Sequence, residues 1–382
     1  MTHFDHYASP TRIEFGAGKL GQLGELARGL GVRRVLVVSD PGVIEAGHTG
    51  RGIESLRNAD METHLFDGVQ ENPTTVHVEK GLDAAREFQP ELIVGLGGGS
   101  SMDCAKGINF LYCCGGKMQD YWGLGKATGP LLPMIAVPTT AGTGSETQSF
   151  ALISDPETHV KMACGDKRVA FRIAVLDPEL TLTQPPRVAA LSGFDALAHA
   201  VETYVTTKRT ETSQRFSLEA WMELAPNYLR ILREPTDFAA RGHMQLGACC
   251  AGVAIENSML GAAHALANPL TAVYDIPHGE AVALMLPYVV RFNGRQCDAW
   301  YRELVATTAD LPLCPSGGSE ELASFLANAA IEAGLADRLS SRGVERRRLA
   351  RLAQDAAQQW TASFNPIPVS ADDLLQLYEA AY

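Results

Sequence analysis

The sequence has no run of about eighteen consecutive apolar residues, so no membrane-spanning helix is expected. Its opening, MTHFDHYASPTRIEF, lacks the basic start and apolar core of a secretion signal, and a cytoplasmic protein is expected. Cysteine occurs eight times, as the adjacent pairs Cys113-Cys114 and Cys249-Cys250 and four singles, never with CxxC spacing. That excludes a disulfide-stapled secreted scaffold and leaves reduced core thiols. Positive charge is also scarce. With 32 Lys and Arg against 44 Asp and Glu, the formal net charge is −12, which argues against nucleic acid or an acidic membrane as partner. Neither an internal repeat nor a low-complexity segment is present. A soluble enzyme for small molecules fits this composition.

At 382 residues the chain exceeds the usual size of a single core, so two domains are expected. Between about residues 30 and 180, apolar runs alternate with helix-period stretches. The strand candidates are RRVLVVSD, METHLFDG, ELIVGLGGG, LLPMIAVPTT and RIAVLDPEL, and VIEAGHTGRGIESLRNA and VHVEKGLDAAREFQ read as the intervening helices. Near-continuous apolar strands between helices indicate a mainly parallel sheet covered on both faces. After Pro185-Pro186 apolar residues recur at spacings of three and four, in LSGFDALAHAVETYV, SQRFSLEAWMELAPNYLRILRE, HMQLGACCAGVAIENSMLGAAHALA, ELASFLANAAIEAGL and LARLAQDAAQQW. The expected division is an α/β nucleotide-binding domain over 1–185 and an all-α domain over 186–382.

In the second part, Asp195 and His199 stand four apart in SGFDALAHAVE, which on a helix points a carboxylate and an imidazole at one spot. About sixty-five residues later come His264, among small residues in GAAHALA, and His278, in the Pro-His-Gly turn of DIPHGEA. An idle imidazole is costly to bury in such sequence. Three imidazoles with one carboxylate suit divalent iron, zinc, nickel or cobalt better than magnesium or calcium, which prefer all-oxygen shells. An Asp-His pair alone is commonly a surface contact; the four residues together predict a metal site.

In the first part, ELIVGLGGGSSMDCAKGINFLY is an apolar strand, four glycines, then Ser100, Ser101 and a helix. Glycine lets backbone approach a phosphate, and a helix start offers free N–H groups and a positive dipole end. The usual dinucleotide fingerprint is not met, because no acidic residue follows about twenty positions later at the end of a next strand. Asp40, ending RRVLVVSD, could accept from an adenosine ribose and repel a 2′-phosphate. The loop in IAVPTTAGTGSET carries Thr139, Thr140 and Thr143, small hydroxyls able to reach ribose or phosphate. Asp, Thr and Gly are also what turns use; as a set they favour a dinucleotide.

These segments resemble the iron-containing (group III) alcohol dehydrogenases over nearly the whole chain: GGGSSMD, PTTAGTGSE, LDPELTLTQPPRVAALSGFDALAHAVE and GAAHALANPLTAVYDIPHGEA all occur in family order and spacing. The resemblance implies the fold shared with dehydroquinate synthase and glycerol dehydrogenase, NAD(H), a divalent metal with Fe2+ foremost, a homodimer, and an active site between the two domains. By matching position it implies Asp195, His199, His264 and His278 as metal ligands. It likewise implies Gly98, Gly99, Ser100 and Asp103 as the pyrophosphate loop, Asp40 as the ribose carboxylate, and Asn72, Thr139, Thr140, Thr143 and Lys161 as further cofactor contacts. Phe150 and Ile255 fall where the family lines an apolar substrate pocket, a position that core packing would explain equally well. The family commonly carries another histidine four residues after the third ligand; here that position is Asn268, expected to face the site without titrating near neutral pH.

The implied reaction is reversible hydride transfer between a small alcohol and NAD+. A metal-dependent lyase of the dehydroquinate synthase kind would want Lys and Arg around its substrate, and the ligand-bearing segments are poor in both. A metallohydrolase would leave the phosphate and threonine loops without a role. A non-catalytic nucleotide-binding protein would leave the four ligands without one.

Overall fold

The computed structural model describes residues 9–158, 160–308, 311 and 317–382. The chain divides into two compact units, one made of the residues up to Thr140 together with Gly144–Gln184, the other of Ala141–Thr143 and Pro185–Tyr382. Among its described residues the first holds nine strands: β1 (Arg12–Phe15), β2 (Arg34–Val38), β3 (Glu62–Phe66), β4 (Leu92–Gly97), β5 (Gly123–Leu124), β6 (Met134–Pro138), β7 (Phe150–Ser154), β8 (Lys161–Gly165) and β9 (Ile173–Leu176). Six of them form a wholly parallel sheet in the order β1-β9-β6-β4-β2-β3. The near-continuous apolar runs read from sequence are its central strands, and every residue of β4 is buried. Because β2 connects outward to β3 while β4 returns on its other side, the chain changes direction between β2 and β4. In open parallel sheets the crevice at such a switch, beyond the carboxyl ends of the strands, is where ligands bind.

Local structure departs from the sequence expectation in several places. A small second sheet, β5-β8-β7, contains an antiparallel pair, β7 with β8, within the stretch expected to alternate strands and helices. VIEAGHTGRGIESLRNA is not one helix: Gly47, at φ 80°, separates Pro41–Glu45 from His48–Asn58. The long apolar stretch HMQLGACCAGVAIENSMLGAAHALA is likewise broken by residues 257–261 into the helices Phe238–Glu256 and Ala262–Tyr274.

The second unit is helical among its described residues. Its first helix, Pro186–Val205, is buried on every face from Gly193 to Val205, which marks an interior helix rather than an amphipathic surface one. Small residues permit the close packing this requires. A Cβ on Gly279 would lie 2.2 Å from the Leu191 carbonyl oxygen, and one on Gly142 would lie 2.6 Å from the Ser192 Cβ. The second approach explains why Ala141–Thr143, expected in the first domain, goes with the helices. The helix Ala262–Tyr274 ends at Asp275, in left-handed conformation with φ 52°, and the next helix begins at His278 behind Pro277. The arginine-rich stretch near the C-terminus is offset by acids: Arg338, Arg342, Arg348 and Arg351 pair with Asp337, Glu280, Glu345 and Asp355.

The backbone contact at Gly279 yields a test. Gly279→Ala forces the helix that starts at His278 away from Leu191, so a destabilisation of about 1–3 kcal/mol is expected from overpacking. A drop in melting temperature, measured by circular dichroism, checks it; an unchanged value would mean that the contact is not tight.

Candidate metal and nucleotide sites

Asp195 sits on the buried stretch of the helix Pro186–Val205, and three imidazoles reach its Oδ1: His264 Nε2 at 3.3 Å, His199 Nε2 at 3.5 Å and His278 Nε2 at 3.7 Å. The helical spacing of four supplies His199; the first turns of two later helices supply His264 and His278. The rings of His199 and His264 stack with centroids 4.9 Å apart, and His278 is tilted against His264 at 5.4 Å. Ligand bonds near 2.1 Å put neighbouring donors of a tetrahedron about 3.4 Å apart. The three Asp195–imidazole separations are near that spacing, and the ligand atoms of Asp195, His199 and His264 all lie within 4.8 Å of one another, a group that could hold a divalent cation with His278 at its edge. Asp195, His199 and His264 are all buried, and His278 keeps a quarter of its side chain exposed. The donor chemistry agrees, since nitrogen with one carboxylate oxygen suits iron, zinc, nickel or cobalt.

Electrostatics tie the cluster together. Burial alone would raise the Asp195 carboxyl, but His199 and the other two imidazoles outweigh it and hold that group well below the usual carboxylate range. His199 is shifted down, first by burial, against the pull of Asp195. Burial would lower His264 too, yet Glu202 and Asp195 overcome it and push its pKa up to about 9. Glu202 is a residue that the sequence reading missed. It contacts His264 Nδ1 at 2.5 Å and is itself buried. Its signal was present, since it stands three after His199 and seven after Asp195 on one helical face.

In the other unit Asp40, the glycine loop, Thr139 and Thr140 lie at the carboxyl ends of β2, β4 and β6, whereas Thr143 belongs to the helical unit. Gly97 (φ 154°), Gly98 and Gly99 lead from β4 into the helix Gly99–Cys114, whose first turn presents Gly99 and Ser100. A Cβ on Gly97 would meet the Ser101 Oγ at 2.3 Å, so glycine is required there for space as well as for φ. Asp40 caps the short helix after β2 by accepting from the Val43 N–H at 3.1 Å, and Ser101 Oγ donates to its other oxygen at 3.0 Å. The Thr139 N–H is held by the Gly97 carbonyl at 2.9 Å, and Thr140 lies against Gly98. Asn72, at φ 51°, accepts from the Lys161 Nζ at 3.2 Å.

Three residues stand apart from that crevice edge. Asp103 is buried and accepts from the Ser145 Oγ at 2.7 Å, with the Lys106 Nζ 3.8 Å away; burial raises its pKa against the pull of Lys106. The Lys106 ammonium, also missed in the sequence, is fully buried and donates to Ser145 O, Ser145 Oγ and Phe150 O at 2.7–2.8 Å. Phe150 opens β7 with its ring over Gly165. In the helical unit, Ile255 is buried near the end of its helix, and Asn268 donates to Gln359 Oε1 at 3.0 Å.

Comparison with known proteins gives the family. Residues 10–178 match the family described as iron-containing alcohol dehydrogenase, and residues 189–382 match the Fe-containing alcohol dehydrogenase family, C-terminal. The chain belongs to the iron-containing alcohol dehydrogenase family. Among this family's members, alcohol dehydrogenase 4 of Schizosaccharomyces pombe is 34% identical over 96% of this chain and 86% of its own length. The NAD-dependent methanol dehydrogenase of Bacillus methanolicus is 30% identical over the full length of both chains. A crystal structure of 1,3-propanediol oxidoreductase superposes with a TM-score of 0.94 at 30% identity, covering all of both chains.

For this alcohol dehydrogenase the raised His264 pKa has a measurable consequence. A cation must displace the proton that His264 holds below about pH 9. Zinc affinity is therefore expected to rise by about tenfold per pH unit between roughly pH 7 and 9, as one proton is released per ion bound. Chelator competition across that range checks it, and a flat profile would contradict a protonated His264.

Proposed function

We propose that the protein catalyses reversible hydride transfer between a small alcohol and NAD+, with Asp195, His199, His264 and His278 holding a divalent cation, iron foremost. The observation that carries this reading is the convergence of three imidazole Nε2 atoms on one buried carboxylate oxygen. When bound, the cation supplies Lewis-acid stabilisation of negative charge on the alcohol oxygen, and the nicotinamide supplies the hydride acceptor. Asp195 would contribute the one carboxylate among the four ligands. Gly98, Gly99 and Ser100 offer the pyrophosphate a helix start, and Asp40 offers the adenosine ribose its remaining acceptor positions. Thr139, Thr140, Thr143, Asn72 and Lys161 complete the cofactor contacts in this reading. Asp103 acts from behind, through Ser145.

Phe150 and Ile255 are proposed to border an apolar substrate pocket. Asn268, held by Gln359, orients by its amide and takes no part in proton transfer near neutral pH. Relatives named for methanol and 1,3-propanediol support a small alcohol as substrate. The lyase and hydrolase alternatives lose support because full-length relatives are named as dehydrogenases. The seven described cysteines are all free thiols, which supports a reducing, cytoplasmic setting. Family resemblance supports a homodimer.

Chelation of the purified protein is expected to abolish aldehyde reduction while NADH binding, followed by fluorescence titration, survives, since the cage and the phosphate loop belong to different units. His264→Ala should behave in the same way. Full turnover by metal-free protein would overturn the reading.

Cofactor choice is expected to rest on the charge of Asp40. A charge pair about 4 Å apart at an effective dielectric near 20 is worth about 4 kcal/mol before further screening, which leaves a roughly ten- to hundredfold preference for NAD(H) over NADP(H). Asp40→Asn retains a good helix cap and removes the charge. The ratio of kcat/KM for the two cofactors should fall towards one in that variant, and an unchanged ratio would reduce Asp40 to a capping residue.

A further inference from the structure

Glu202 reaches the metal cage from two helical turns beyond Asp195, and both of its oxygens serve the first turn of the helix Ala262–Tyr274. Oε1 accepts from the Ala263 N–H at 2.8 Å and Oε2 contacts His264 Nδ1 at 2.5 Å. A carboxylate accepts and does not donate, so the hydrogen of the neutral imidazole sits on Nδ1. Once the proton between Nε2 and the Asp195 Oδ1, 3.3 Å apart, has left, the Nε2 lone pair faces that oxygen. The same helix start has no side-chain cap of its own, because its N-cap is Gly261. Its N–H groups are met from distant parts of the chain. Glu202 takes that of Ala263, and Asn365 Oδ1, itself held by the Asn293 Nδ2 at 3.0 Å, takes that of Ala262 at 3.3 Å. A Cβ on Gly261 would stand 3.0 Å from the Glu202 Oε1 and 3.2 Å from the Asn365 Oδ1, so glycine makes room for both acceptors.

We propose that Glu202 is a positioning residue for the metal site: by capping the helix that carries His264 and fixing the tautomer and ring orientation of that histidine with one carboxylate, it presents the imidazole ready to bind. This deepens the functional reading above and rests on it. Carboxylates behind a ligating histidine raise its basicity and lock its orientation, and their loss typically weakens metal binding by about 10–100-fold. The competing account is that Glu202 is a helix cap and nothing more.

Glu202→Gln separates the two, because a carboxamide offers one acceptor where two N–H donors converge. If its oxygen stays on Ala263, its NH2 faces His264 Nδ1 and forces the hydrogen onto Nε2; if it turns, Ala263 loses its partner. The parent is expected to bind one zinc per chain in chelator competition, and Glu202→Gln to bind it about 10–100-fold more weakly. Asn365→Ala removes the neighbouring cap without touching the imidazole, so its melting temperature should fall while its zinc affinity stays at the parent level. In a His264→Ala background, Glu202→Gln should add little further loss, since the two act as one unit. Should Glu202→Gln not fold, the zinc-loaded parent decides: its proton spectrum is expected to hold a slowly exchanging imidazole N–H resonance that is absent from His264→Ala. Parent-like zinc affinity in Glu202→Gln, an equal loss in Asn365→Ala, or the lack of that resonance overturns the proposal. A parent that binds no zinc overturns the metal reading instead.

Discussion

The structure is organised around one electrostatic constraint: the Asp195 carboxylate is buried on the stretch of its helix, Gly193 to Val205, that is interior on every face. An isolated charge in that position would be prohibitively costly, and it is tolerated only with opposite charge and hydrogen bonds around it. Three imidazoles meet that need, and Glu202 and Asp195 favour the protonated form of His264. The packing follows from the same demand. Gly142 and Gly279 let backbone come against Ser192 and Leu191, and a left-handed Asp275 turns the chain so that His278 starts a new helix beside His264. Alanines and glycines on the ligand helices are the condition for bringing four polar side chains together inside an apolar unit.

The nucleotide unit meets its own buried charge differently. The Lys106 ammonium is fully enclosed and spends its hydrogens on Ser145 and the Phe150 carbonyl, while Asp103 takes the Ser145 hydroxyl. This ties the helix after the glycine loop to the segment that follows the threonine loop. Asp103 is turned inward, onto Ser145 and Lys106. A carboxylate turned outward there would repel a pyrophosphate. Asp40 combines two demands as well, since one side chain both caps a helix and presents an acceptor at the end of β2.

The parallel sheet and the helical unit were legible in the sequence because buried strands read as continuous apolar runs and helices as a spacing of three and four. The grouping of Asp195 with the three histidines was legible because i,i+4 spacing and apolar context are local properties. Glu202 was not recognised: a glutamate on a helix is usually solvated, and only the return of a helix sixty residues later brings it against His264. Lys106 was hidden for the same reason, as its partners come from residues 145 and 150. The antiparallel β7–β8 pair escaped a reading built on strand–helix alternation, and the attachment of Ala141–Thr143 to the helices depends on a backbone approach at Gly142 that no local pattern encodes. Asn268 lies four positions after His264 on the same helix, and its amide is held by Gln359, ninety-one positions away.

The central claim is that three imidazoles and one carboxylate form the metal's inner shell. X-ray absorption of the zinc-loaded protein tests it most directly. The account predicts nitrogen and oxygen scatterers at about 2.0–2.2 Å, with the outer-shell pattern of three imidazole rings and no sulfur. A sulfur shell near 2.3 Å, which would implicate cysteine, or a spectrum without imidazole scattering would contradict it.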